Sequence, residues 1–116
     1  MNYKTIEATQ DGDITIIMVI KNRIFMEISD QFRDEVVSVI EDGGTKIIFN
    51  LSQVHVMNSS GLGVLMLARD TIEKRGGKII ICCLMPLMEE IFTRMRFMHF
   101  FDVTKNLVDA LERINS

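Results

Sequence analysis

Hydrophobic and polar positions change period several times along this chain, and each change marks an element. Residues 3–8 alternate, with Tyr3, Thr5 and Glu7 on one side and Ile6 and Ala8 on the other. That is the pattern of an edge strand. After an Asp11-Gly12 turn, residues 13–20 are apolar on both faces and predict an internal strand. Residues 21–28 fit either a short strand or an irregular crossing. From Ser29 or Asp30 the period becomes helical, with Phe32, Val36, Val39 and Ile40 at i, i+4, i+7 and i+8. Gly43-Gly44 ends this helix, because glycine takes the left-handed conformation common at helix ends.

The second half repeats a strand–helix rhythm. Residues 46–51, with Ile47, Ile48, Phe49 and Leu51, form a short apolar run and predict a central strand buried on both faces. A loop from Ser52 to Asn58 follows, and Ser59 or Ser60 is placed to cap a helix running to about Arg75. Leu62, Val64, Leu65, Met66, Leu67 and Ala68 leave that helix little polar face in its first turns, so it lies deep. Gly76-Gly77 closes it. Residues 78–84 predict a second buried strand, and Pro86 begins a helix reaching about Met95. Thr104 is placed to cap a last helix whose stripe is Leu107, Val108, Leu111 and Ile114.

The order implies right-handed parallel crossovers in the second half and an antiparallel hairpin at the start. The predicted class is α/β: a mixed sheet, N-terminal hairpin then parallel strands, covered by about four helices. At 116 residues the chain is expected to be one domain, residues 1–116.

Charge and length narrow the possible functions. Thirteen basic against sixteen acidic side chains give a net charge of −3, unlike the clustered basic surface that a phosphate backbone requires. No nucleic-acid contact is expected. No apolar run approaches the roughly 20 residues needed to span a bilayer, and residues 1–5 lack the apolar core of a signal peptide. The expected setting is therefore the cytosol, without membrane insertion. Cys82 and Cys83 are expected to be two small buried apolar residues of a reducing compartment, pointing to opposite faces of the strand.

Candidate chemistry is sparse. There is no phosphate-binding Gly-x-x-x-x-Gly-Lys-Ser/Thr loop. Gly61-Leu62-Gly63 begins like a dinucleotide fingerprint, but Met66 stands where the third glycine belongs. Ser59 lacks the Gly-x-Ser-x-Gly setting of a hydrolase nucleophile. His55 and His99 stand apart with no companion ligands, so no metal, cofactor or catalytic residue is expected. Met85, Met88, Met95 and Met98, interleaved with Phe92, Phe97, Phe100 and Phe101, read mainly as core packing. With Arg94, Arg96 and His99 among them, a partly exposed basic and apolar patch stays open.

One segment stands out, Asn50-Leu51-Ser52 through Asn58-Ser59-Ser60-Gly61-Leu62-Gly63-Val64, where a buried strand passes through a polar loop into a helix. Capping by a serine oxygen is its simplest account. Two glycines in the first helical turn are costly, by about 1 kcal/mol each relative to alanine. They point to tight packing or to a backbone that something must approach.

This segment resembles the signature of STAS-domain anti-sigma factor antagonists, in which a strand ending Asp-Leu-Ser leads to Asp-Ser-Ser-Gly-Leu-Gly at a helix start. The likeness continues through Arg75-Gly76-Gly77-Lys78-Ile79-Ile80-Ile81, the Pro86 helix, Phe100-Phe101 and the closing helix with Ala110-Leu111. It covers roughly residues 45–115 well and the N-terminal third in outline. The resemblance implies a STAS-like fold and a binding module without catalysis of its own, monomeric or weakly homodimeric. It implies that Ser59 is the phosphoacceptor and that Asn58, Ser59, Ser60, Gly61 and Leu62 meet the partner.

The implied partner is an anti-sigma factor, usually a GHKL-type serine kinase, bound by the unphosphorylated form so that a sigma factor is released. A serine phosphatase would restore that form. Asn50 and Asn58 stand where the family carries acidic residues, keeping their shape without the charge. Arg96 stands where glycine is frequent, and residues 21–26 lack the family's glycine-containing pattern. A second implied role is a non-switched STAS subunit of a larger assembly, such as a lipid-transport complex or a stress-signalling scaffold, and the lost charges suit it.

Overall fold

The computed structural model describes residues 2–116. Five strands form the main sheet in the order β1(Ile6–Asp11), β2(Ile14–Val19), β4(Lys46–Asn50), β6(Lys78–Cys82), β7(Asp102–Thr104). Only β1–β2 is antiparallel, joined through Gly12 at φ +63. The other pairs are parallel. A separate two-stranded ribbon pairs β3(Arg23–Ile24) with β5(Val56–Met57). The helices are α1(Met26–Glu41), α2(Ser59–Lys74), α3(Pro86–Arg94) and α4(Leu107–Ile114). This is the expected mixed α/β sheet with its N-terminal hairpin.

Side-chain alternation along the strands builds two cores. Ile47, Phe49, Ile79 and Ile81 join Phe32, Val36, Leu65 and Phe92 in the larger, under α1, α2 and α3. Ile48, Ile80 and Cys82 face the other way and pack with Ala110 and Ile114 of α4. Because both faces are covered, the central strands read as apolar runs.

Several boundaries differ from expectation, each for a local reason. β1 begins at Ile6 rather than residue 3, because the segment before it is held by a side chain from α1. The N–H groups of Lys4 and Thr5 and the Thr5 hydroxyl donate to the Glu35 carboxylate at 2.6–3.1 Å. Thr5 is thereby buried with its polar atoms satisfied. α1 begins at Met26, not Ser29 or Asp30. Phe25 occupies the cap position without a side-chain bond, and the Ser29 hydroxyl donates to the Met26 carbonyl instead.

β6 stops at Cys82 instead of running to residue 84, since Cys83 turns left-handed at φ +69. Cys82 and Cys83 therefore do not point to opposite faces; their sulfurs lie 3.0 Å apart. Thr104 belongs to β7, and Asn106 caps α4 through the Asp109 N–H at 2.8 Å. Val108 is exposed rather than part of the stripe. Of the methionine–phenylalanine stretch, Met88, Phe92, Phe97 and Phe101 are buried, while Met95, Met98 and Phe100 are exposed. Arg96 takes the left-handed conformation, φ +59, that a glycine would adopt freely.

The Glu35 clamp carries a pH prediction. Burial would raise its carboxyl, but the hydrogen bonds from Thr5, Lys4 and Gln31 outweigh that and hold it below the ordinary 4.5. A depressed carboxylate contributes stability that is complete above the unfolded value and lost as pH falls through the folded one. Glu35→Gln is expected to cost about 1 kcal/mol at pH 7, solvent access keeping it modest. In urea titrations across pH, the gap to the parent should narrow steadily as pH drops below 4.5.

Candidate functional site

The segment between β4 and α2 is irregular but tightly held. Leu51, Val54 and Met57 are buried and anchor it to the core. The Leu51 N–H donates to the Cys82 carbonyl at 3.1 Å, and the His55 N–H to the Asn22 carbonyl at 2.7 Å. Asn58 donates its N–H to the Ile24 carbonyl at 3.0 Å. Through the β3–β5 ribbon, residues 22–24 thus fix the approach of the chain to α2. The sequence predicts loop throughout 52–58; the structure differs in the ribbon strand Val56–Met57.

The capping residue is Asn58, not Ser59 or Ser60. Its extended backbone, φ −84 and ψ −178, and its side-chain oxygen, 3.0 Å from the Gly61 nitrogen, satisfy the cap. Ser59 and Ser60 are then the first two residues of the helix, both exposed. Among the described residues neither serine hydroxyl has a hydrogen-bond partner. The first N–H groups of a helix have no intrahelical acceptor, and the helix dipole is positive there. This end of α2 can therefore receive a negative charge on a serine oxygen.

The two glycines differ in role. A Cβ on Gly61 would lie 2.8 Å from Ile24 Cγ2 and 3.3 Å from Met57 Cβ, so Gly61 is there for close packing against the ribbon. Around Gly63 a Cβ would meet nothing within 4 Å. Gly63 opens instead onto a groove of about 300 Å³ between α1 and α2, lined with Ser29, Asp30, Arg33, Ser60, Val64 and Leu67. Gly61→Ala is expected to lose about 1–2 kcal/mol through overpacking. Gly63→Ala should gain about 0.5–1 kcal/mol from helix propensity. Opposite shifts of the thermal midpoint would check the pair.

Asn58, Ser59, Ser60, Gly61 and Leu62 are thus brought together at one helix end, with the two serines outward and Gly61 and Leu62 buried. Asn50 lies at the end of β4, where its side-chain oxygen accepts from the Ser52 N–H at 3.0 Å. His55 is exposed on the loop, and Arg94, Arg96 and His99 are exposed at the end of α3 and the turn after it. Sequence reasoning missed the groove residues Ser29, Asp30 and Arg33. The signal was present: polar residues interrupting the apolar stripe in the first turns of α1.

Residues 5–110 of this chain match the family model of the STAS domain. The chain belongs to the STAS domain family. A candidate anti-sigma factor antagonist named BtrV, from Bordetella bronchiseptica, is 23% identical over 78 residues, 67% of each chain. An anti-sigma factor antagonist from Mycobacterium paratuberculosis shares the fold with a TM-score of 0.87 at 19% identity, over 97% of this chain and 94% of that one. The phosphorylated form of the Bacillus cell fate determinant SpoIIAA superposes with a TM-score of 0.70 at 20% identity, over 94% and 98%. Among the described residues of this STAS domain no helix is long and apolar enough to cross a membrane.

Proposed function

We propose that this STAS domain is an anti-sigma factor antagonist that binds an anti-sigma factor acting as a serine kinase, with Ser59 as the phosphoacceptor. In this reading the unphosphorylated domain occupies the anti-sigma factor and frees a sigma factor for transcription. The domain acts by binding, and the kinase supplies the chemistry. The Ser59 oxygen attacks the γ-phosphorus of ATP, the bond to the ADP oxygen breaks, and the serine proton passes to a base of the kinase. A phosphatase returns the serine by hydrolysis.

The observation that carries the reading is the division of labour at the start of α2. Asn58 does the capping, which leaves the Ser59 hydroxyl exposed and uncommitted. A serine needed as a cap would lose about 0.5–2 kcal/mol of helix stability on modification; Ser59 carries no such duty. Asn58 keeps the capping oxygen of the family's aspartate without its charge. The groove beside Ser60, lined by Ser29, Asp30 and Arg33 together with Val64 and exposed Leu67, gives a partner a mixed polar and apolar surface next to the switch.

Titration of the parent chain, Ser59→Ala and Ser59→Glu against a candidate anti-sigma factor tests it. Parent and Ser59→Ala are expected to bind alike, and Ser59→Glu weakly. Equal binding by all three would favour a constitutive subunit of a larger assembly, the role that the uncharged Asn50 and Asn58 also suit.

A further inference from the structure

The turn after β6 brings two thiols together in a way that neither packing nor the proposed Ser59 switch requires. Cys82 is fully buried against Ile48, Ile80 and Ala110, while Cys83 is half-buried. Their sulfurs are 3.0 Å apart, inside van der Waals contact and without a covalent bond. Cys83 holds this position at φ +69, a backbone conformation that L side chains avoid and glycine takes freely. Strain of this kind concentrates where a side chain has a task. A glycine would serve the turn; Cys83 adds a sulfur directly against its neighbour's.

We propose that Cys82 and Cys83 form a modification site, a vicinal dithiol that a hydroperoxide oxidises reversibly to a disulfide spanning a single peptide bond. Cys83, the sulfur nearer solvent, attacks the terminal peroxide oxygen. An S–O bond forms, the O–O bond breaks, and the departing alkoxide takes the thiol proton. Cys82 then attacks the Cys83 sulfur. The S–S bond forms, the S–O bond breaks, and hydroxide leaves with the Cys82 proton as water. Two thiols and one hydroperoxide become a disulfide, an alcohol and water, the sulfur pair giving up the two electrons that the peroxide gains.

Burial, the contact with Cys83 and that neighbour's charge all push the Cys82 thiol above its ordinary range. First attack therefore falls to Cys83, the more accessible sulfur, and resolution to Cys82, which lies in contact with it. The product should be reduced readily by thiols, since adjacent Cα atoms, about 3.8 Å apart, fall short of the usual disulfide span of about 4.4–6.8 Å. Such strained disulfides are the labile ones.

The position connects the pair to the loop before α2. The Cys82 carbonyl accepts from the Leu51 N–H, and the Cys83 N–H donates to the Thr104 carbonyl at 3.3 Å. Closing the ring reorients the very peptide whose two polar groups make these bonds. Leu51 begins the segment that ends at Asn58, so oxidation loosens that segment's first anchor.

The test treats the full chain with hydrogen peroxide, alkylates it after unfolding and weighs the tryptic peptide 79–94. The expected peptide lacks two hydrogens and carries no alkyl group, and dithiothreitol restores two alkylation sites. Cys83→Ser should leave Cys82 fully alkylated after the same treatment. Two alkyl groups on the treated parent, sulfinic acid at Cys83 beside an alkylated Cys82, or a disulfide between two chains would overturn the site. Amide exchange at Leu51 should quicken about tenfold on oxidation, the equivalent of one net hydrogen bond. Unchanged exchange across residues 51–58 would refute the coupling to the loop.

Discussion

Phosphorylated at Ser59, the protein is expected to bind its anti-sigma factor more than a hundredfold less tightly while its own fold persists. A phosphoserine adds about −1.5 to −2 charge and a bulky hydrated group. Within the free protein that charge sits at the start of α2, where unpaired N–H groups and the positive end of the dipole receive it. Its stability should shift by no more than about 1 kcal/mol. In a complex the same dianion must be desolvated or accommodated. A penalty of about 3 kcal/mol, ordinary for an unmatched charge in an interface, exceeds a hundredfold in Kd. Calorimetric titration of the two forms, with thermal unfolding of each alone, checks both halves. A local charge suffices, and no rearrangement of the sheet is needed.

Gly77→Ala is expected to be the most damaging small substitution in the chain. α2 ends with the Gly76 N–H donating to the Glu73 carbonyl and the Gly77 N–H to the Ile72 carbonyl, both at 2.9 Å. This paired pattern needs the left-handed residue that Gly76 supplies at φ +73. The chain then enters β6 through Lys78, whose N–H donates to the Thr45 carbonyl at 2.7 Å. A Cβ on Gly77 would stand 2.3 Å from that same carbonyl oxygen and 2.9 Å from Ile72 Cγ2. Backbone on one side and a buried side chain on the other leave no direction for relief. A loss of about 3 kcal/mol is expected, measurable by urea unfolding. The same change at Gly63, open on all sides, should stabilise.

Much of this fold is written plainly in the chain. The apolar runs of β2, β4 and β6 announce strands covered on both faces, and Gly12, Gly43 and Gly76 stand where the backbone turns left-handed. Strands β3, β5 and β7, two or three residues each, carry no readable period, because alternation needs more positions than they have. Their pairing is set by partners far along the chain. The shift of β1 has the same origin: it follows from Glu35, thirty residues away from Thr5.

The candidate site was legible as a motif but not as an arrangement of roles. Asn58, Ser59 and Ser60 are all competent caps, and propensity does not choose among them. The choice is tertiary: the bond from the Asn58 N–H to the Ile24 carbonyl holds Asn58 extended and starts the helix at Ser59. Gly61 could be marked as unusual from sequence, yet only the approach of Ile24 explains it. The contact between Cys82 and Cys83 was hidden for the opposite reason, since a regular strand would have separated them.

The most direct measurement is the position of the phosphate. The full chain, incubated with a candidate anti-sigma factor kinase and ATP and then sequenced by peptide mass spectrometry, is predicted to carry one phosphate, on Ser59, with none incorporated into Ser59→Ala. Incorporation at Ser60 or elsewhere with Ser59 unmodified, or undiminished labelling of Ser59→Ala, would contradict the assignment of Ser59 as the switch.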